Sequence, residues 1–157
     1  MCERRADPAL AAIAWLAHDR LDPIDAVMPI ATLAGDLPAA LGLAGYPAVP
    51  GDALAADIIR LAMLHAAIRS VERVRIRLEW IVTDACKRFH ADYVTTRLLV
   101  TYRGAGTQWI LADRPAVVGH IPCGAVAILK GGCSSPNPAC STARHPSPPR
   151  ARHGCCW

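Results

Sequence analysis

The spacing of apolar residues along the chain predicts helices first and strands afterwards. Asp7 followed by Pro8 is a typical helix start, and apolar residues recur at helical spacing behind it, which predicts a helix over about residues 8–19. Residues 21–51 hold five prolines and four glycines, so only short helical turns are expected there. Asp52 then caps a second predicted helix, over about residues 53–69, whose apolar face is expected to pack on a sheet.

The period changes to two after residue 70. From Arg73 to Trp80 charged and apolar residues alternate strictly, which is typical of a strand with one solvated face. Further strands are predicted within residues 93–102, over 107–111 and over 125–129, with a tight turn at 103–106. Helices followed by short strands predict an α+β fold, in which N-terminal helices pack on a β-sandwich or jelly-roll-like sheet. In the first strand we expect the core side to hold Val74, Ile76, Leu78 and Trp80.

Length and composition fit one folded domain. The chain has 157 residues, of which 53% are hydrophobic. We predict a single domain over residues 1–131, helical to residue 70 and β-rich from residue 71. No apolar run is long enough to span a bilayer, and the N-terminus lacks the pattern of a secretory signal. These features predict a cytoplasmic protein with no membrane partner.

Charge and cysteine usage exclude two further classes. The formal net charge is +4, but the basic excess comes mostly from Arg144, Arg150 and Arg152, beyond the last acidic residue. The remainder is nearly balanced, so no nucleic-acid partner is expected. Seven cysteines without CxxC spacing or an export signal indicate neither a disulfide framework nor a structural zinc site of that type.

The segment Phe89-His90-Ala91-Asp92 contains the first candidate chemistry. On an extended segment His90 and Asp92 point to the same side, so an imidazole and a carboxylate can bind one cation. The same spacing suits a histidine bonded within a turn beside a capping aspartate. Arg97 either faces an anionic co-substrate or is a surface charge on a strand. His120 and Cys123 are either soft metal ligands or a loop histidine and a half-buried thiol.

The stretch from Asp84 to Trp109, together with Val126 to Gly131, resembles the core of a bacterial family named domain of unknown function 1826. The family pattern reads F-H-x-D, R-L, T-Y-x-G-P-G-T-x-W and V-A-x-L-K-G, and the chain repeats these motifs in order. Ala105 stands where the family usually has proline. The resemblance covers about residues 71–131.

The order of these motifs is similar in turn to the double-stranded β-helix of iron and 2-oxoglutarate dioxygenases. There two histidines and one carboxylate hold Fe(II). The resemblance therefore implies that His90 and Asp92 are two of three ligands of a divalent metal, Fe or Zn, and that 2-oxoglutarate is the co-substrate. Arg97 is a candidate to face such an anion because of its place on the strand predicted after these ligands. The substrate would be an unidentified small molecule or protein. The alternative is a non-enzymatic metal-binding or zinc-homeostasis protein, since relatives are encoded near zinc-handling GTPases, and whether the chain is an enzyme stays open.

The tail departs from the family pattern. The family ends in H-R-S-P-P and then R-L-L-L, whereas His145 here begins H-P-S-P-P and no such strand follows. Residues 131–157 hold five prolines, four cysteines and no Leu, Ile, Val, Phe or Tyr, so they cannot supply a core strand. We expect residues 132–157 to be irregular, with His145 away from His90 and Asp92.

The genetic code offers an explanation for this tail. The end of the chain, Cys155-Cys156-Trp157, is encoded TGY TGY TGG, which reads Leu-Leu from the third base of the first codon. With GC-rich codons both missing motifs reappear in that frame. We interpret residues 132–157 as the product of a frame slip near Gly131, and the protein as truncated and inactive as written. The alternative is a genuine Pro-rich and Cys-rich tail.

Restoring the reading frame after Gly131 should raise both thermal stability and metal affinity. A missing strand leaves apolar surface and backbone groups exposed, and two ligands hold a divalent ion weakly. Nucleotide sequencing across codon 131, followed by thermal unfolding and metal titration of both forms, tests the interpretation. An unchanged unfolding temperature in the restored form would contradict it.

Overall fold

Helices and small antiparallel sheets make up the computed structural model, which describes residues 8–81, 94–111 and 114–131. The mixture confirms the α+β class. The contacts divide the chain into two compact units. We call residues 8–80 the helical unit, and residues 81, 94–111 and 114–131 the strand unit. The elements are α1 (Pro8–Ala11), β1 (Ile24–Pro29), α2 (Leu33–Leu43), α3 (Ala48–Arg69), β2 (Arg73–Leu78), β3 (Thr96–Val100), β4 (Thr107–Leu111), β5 (Arg114–Ile121) and β6 (Val126–Lys130).

The alternating segment after residue 70 forms β2, as predicted. Val74 and Ile76 are buried, while the alternating arginines, Arg73, Arg75 and Arg77, are exposed. The strand ends at Leu78, so Trp80 lies beyond it. β2 pairs antiparallel with β1, which brings Ile76 opposite Ala26 and Val74 opposite Met28. The predicted register is confirmed for Val74 and Ile76, whereas Leu78 is half-buried and Trp80 is not part of the strand.

A cross-strand ion pair lies on the solvated side of this sheet. Arg75 donates to both carboxylate oxygens of Asp25, at 2.6 and 2.7 Å. Hydrogen bonding from Arg75 lowers the pKa of the Asp25 carboxyl. Because both side chains are exposed to solvent, the pair contributes about 1 kcal/mol or less to stability.

The prediction of only short helical turns between residues 21 and 51 is wrong. This region contains the strand β1 and the eleven-residue helix α2. Pro38 lies inside α2, where proline removes a hydrogen bond and normally disfavours a helix. The helix forms nevertheless, because a leucine stripe with a spacing of four residues buries its whole inner face. This stripe is Leu33, Leu37 and Leu41.

The long helix α3 begins five residues earlier than the predicted start at residue 53. Pro47 is its N-cap residue and Pro50 occupies its first turn, where proline is tolerated, so Asp52 is not the cap. Leu54 and Leu61 are buried as the spacing indicates, but Leu64 and Ile68 are exposed. The buried face near the C-terminus is formed by alanines instead, and α3 packs on α2, α1 and β2.

The first predicted helix is short. α1 ends at Ala11 and continues as 3-10 turns at Ala12–Trp15 and His18–Arg20, so no continuous helix reaches residue 19. Its buried anchor is Ile13. Of the helices in the described ranges, none combines the length and apolar character that crossing a bilayer requires.

The strand unit contains two nested antiparallel pairs. β3 pairs with β6, and the hairpin of β4 and β5 lies between them in the sequence. One core joins the four strands, with Leu99, Ile121, Ala125 and Ala127 buried and Trp109 and Leu129 packed against them. β4 has the predicted bounds, and β3 and β6 fall at their predicted places. β5 was not predicted, since Pro115 and Gly119 interrupt its pattern.

The described strands form three two-stranded sheets. The complete jelly-roll-like sheet, the single domain over residues 1–131 and the truncation stay predictions. The tail, 132–157, lies outside the described residues.

Replacing Leu37 by alanine should destabilise the protein by about 2 to 5 kcal/mol, since its side chain is 0% exposed in the leucine stripe. Leu43, in the same helix, is 89% exposed and is the matched control. Its replacement by alanine should change stability by about 0.5 kcal/mol or less. Chemical denaturation of the three proteins measures both effects. Equal losses in the two variants would contradict the packing of α2.

Candidate functional site

The two predicted metal ligands, His90 and Asp92, lie in the segment 82–93, outside the described residues. The strand that follows them is β3, which begins at Thr96. The predicted ligands thus precede, in the sequence, the first strand of the outer pair, β3 and β6. Their geometry stays a prediction.

Arg97, the residue predicted to face an anionic co-substrate, is the second residue of β3. It lies opposite Leu129 of β6. The side chain is half-buried, and its Nη1 atom is shielded from solvent. Arg97 is therefore anchored in the strand unit. Its role toward a co-substrate stays a prediction.

The segment between β3 and β4 forms a tight turn that holds the nested strands at one end. The hydroxyl groups of Thr101 and Thr107, which flank the turn, are 3.2 Å apart and share a hydrogen bond. Gly104 and Gly106 both have left-handed backbone conformations, with φ of 106° and 95°. The predicted turn at residues 103–106 is confirmed.

His120 of β5 fastens this turn to the inner hairpin. Its Nε2 atom is 2.6 Å from the carbonyl oxygen of Ala105. A carbonyl only accepts hydrogen bonds, so Nε2 carries the proton and donates. This hydrogen bond fixes the turn to β5.

Cys123 makes a second contact to the same turn. Its thiol donates to the carbonyl oxygen of Thr101, at 3.2 Å. Both candidate soft ligands, His120 and Cys123, are thus bonded to backbone carbonyls. In the described ranges, no three His, Cys, Asp or Glu side chains come together in a way that could hold a metal ion.

Two glycines in this region allow close approaches that side chains would block. A Cβ atom on Gly106 would overlap the carbonyl oxygen of Ile121, and one on Gly119 would overlap the indole ring of Trp109. The sequence signal for the second contact was a glycine inside an apolar stretch, which is typical of close packing against a strand. It was missed because β5 was not recognised.

The motif Thr101-Tyr102-Arg103-Gly104-Ala105-Gly106-Thr107-Gln108-Trp109 is therefore explained largely by turn geometry. Its threonines bond to each other, its glycines supply the backbone conformation, Ala105 accepts from His120 and Trp109 covers Gly119. These contacts position strands. They give the motif a structural role in holding the nested pairs together.

A family model described as "Protein of unknown function (DUF1826)" matches residues 1–155 of the chain. The protein belongs to this family, as the resemblance of its motifs indicated. Searches among curated proteins and among solved structures gave no match.

Replacing Gly106 by alanine should destabilise the protein more than replacing Gly104. Both positions are left-handed, and that conformation costs an alanine about 1 to 2 kcal/mol. A Cβ atom on Gly104 meets open space, whereas one on Gly106 meets the Ile121 backbone, so the second variant also has to displace β5. Urea denaturation compares the two. Equal stabilities would contradict the close packing of the turn.

Proposed function

We propose that the protein binds a divalent metal ion, Fe or Zn, through His90 and Asp92, in a jelly-roll-like domain related to the Fe(II)/2-oxoglutarate oxygenases. The observation that supports the proposal is the nested pairing of β3 with β6 around β4 and β5. A jelly roll is a long antiparallel hairpin wrapped into two facing sheets, so its strands pair in such a nested order. The shared core of the two pairs agrees with this arrangement.

The donor set supports a metal of this kind. One imidazole and one carboxylate are two of the three groups of the facial triad that holds non-haem Fe(II), and both also bind Zn(II). Bound Fe(II) would supply redox chemistry, whereas bound Zn(II) would not. The third ligand is the family's distal histidine, whose motif is altered at His145. In this proposal the metal is held weakly and the chain as written does not turn over substrate.

Arg97 is the proposed partner of an anionic co-substrate such as 2-oxoglutarate. Guanidinium binds carboxylates in a two-pronged geometry. A half-buried position on β3, the strand that follows the proposed ligands, supports this role. Binding of 2-oxoglutarate to the metal-loaded protein would favour the oxygenase relation. Tight Zn(II) binding without it would favour a zinc-handling protein instead.

Replacing Asp92 by alanine should lower the metal content of the purified protein to that of a metal-free control, because a single imidazole does not retain a divalent ion. Asp52→Ala is the matched variant, since Asp52 is an exposed carboxylate on α3. It should keep the wild-type content. Elemental analysis after loading with Fe(II) or Zn(II) gives the result. Equal content in the wild type and in Asp92→Ala would refute the proposed site.

A further inference from the structure

The outer edge of β6 is open in the described part of the chain, where β6 pairs with β3 alone. The backbone N–H of Gly131 donates to the carbonyl oxygen of Thr95, one position beyond the last paired residues of the two strands. Bonding alternates along an antiparallel pair, so Leu129 and Ala127 also turn their backbone groups toward β3. The backbone groups of Val126, Ile128 and Lys130 therefore face the open edge.

The other described strands carry features that discourage edge pairing, and β6 has few of them. Proteins protect strand edges with charges, prolines and bulges. In β2, arginines alternate with apolar residues, and β1 ends at Pro29. β5 contains Pro115, its pairing with β4 shifts between Ile110 and Leu111, and β3 carries Arg97. β6 reads Val-Ala-Ile-Leu-Lys, with its one charge at the end.

The centre of β6 presents an apolar side chain to solvent. Ile128 is 46% exposed, while its neighbour Ala127 is buried in the core of the strand unit. Residues 131–157 are unsuited to form a strand beside β6, because they contain five prolines and none of Leu, Ile, Val, Phe or Tyr. Among the described residues, no strand other than β3 pairs with β6.

The sequence of β6 is complementary to itself in antiparallel orientation. With a two-fold axis at Ile128, this residue pairs with its own copy, and Val126 pairs with the copy of Lys130. In this register the backbone N–H and C=O groups of Val126, Ile128 and Lys130 all gain hydrogen-bond partners, because each of these residues lies opposite another residue of the same set. The two lysines lie at opposite ends, so they do not repel. The exposed isoleucines meet at the axis.

We propose that two copies of this chain associate through β6, by antiparallel pairing of the segment Val126–Lys130 across a two-fold axis. The contact joins β3 and β6 of both copies into one four-stranded sheet. It is closed, because the same edge is used on both copies. The backbone bonds supply the pairing, and the Ile128 side chains supply the apolar contact at its centre.

Sedimentation analysis of the full chain over a wide range of concentration tests the proposal. The wild type is expected to reach a dimer, and Ile128→Lys is expected to lose it, because two ammonium groups would meet at the axis. Val118→Lys is the matched control. Val118 is 52% exposed on β5, a strand that takes no part in the proposed pairing, and its variant should keep the dimer.

Hydrogen exchange of the wild type gives a second measurement that does not depend on a variant. The amide of Ile128 should become protected as the concentration rises, whereas the amides of exposed residues on β5 should not change. A wild type that stays monomeric throughout would overturn the proposal. So would a dimer that survives Ile128→Lys, or an Ile128 amide that exchanges equally fast at all concentrations.

Discussion

The pairing of β3 with β6 is the constraint on which the rest of the strand unit depends. It brings Thr96 opposite Lys130, so the whole intervening segment has to leave the sheet and return to it. Closing a loop of this length costs conformational entropy. The hairpin of β4 and β5 offsets that cost by adding its own ladder and a shared core around Ile121. Two contacts hold the segment between β3 and β4 against β5: the close packing of Gly106 on the Ile121 backbone, and the hydrogen bond from His120 to Ala105.

Elements with strong local periodicity could be predicted from the sequence, and elements that depend on tertiary packing could not. The alternation in β2 defines both its existence and its buried side, because the period of a strand matches it directly. The helix α2 was missed since Pro38 and nearby glycines indicate a break, yet burial of three leucines outweighs that local preference. β5 was missed for a similar reason, as Gly119 makes sense only once Trp109 lies over it.

The candidate site shows the same division. The motifs that place the chain in its family could be recognised from the sequence, and the turn between β3 and β4 could be predicted from it. The contacts of His120 were not, because residues fifteen positions apart meet only through the hairpin. The metal site at His90 and Asp92 is inferred from residue type and spacing alone. These identify two side chains that suit a metal ion, but they do not identify the third ligand.

The pairing of β1 with β2 has a consequence for the order in which the helical unit forms during synthesis. β1 ends at Pro29 and its partner begins at Arg73, so the first strand leaves the ribosome well before the second. The helices α2 and α3 lie between them and form from local contacts, which are made faster than distant ones. The inner side of β1, with Ile24 and Met28, is therefore made before β2. The leucine stripe of α2 is also made before β2, and α2 contacts β1. We therefore expect α2 to cover the inner side of β1 in a newly made chain before β2 pairs with it.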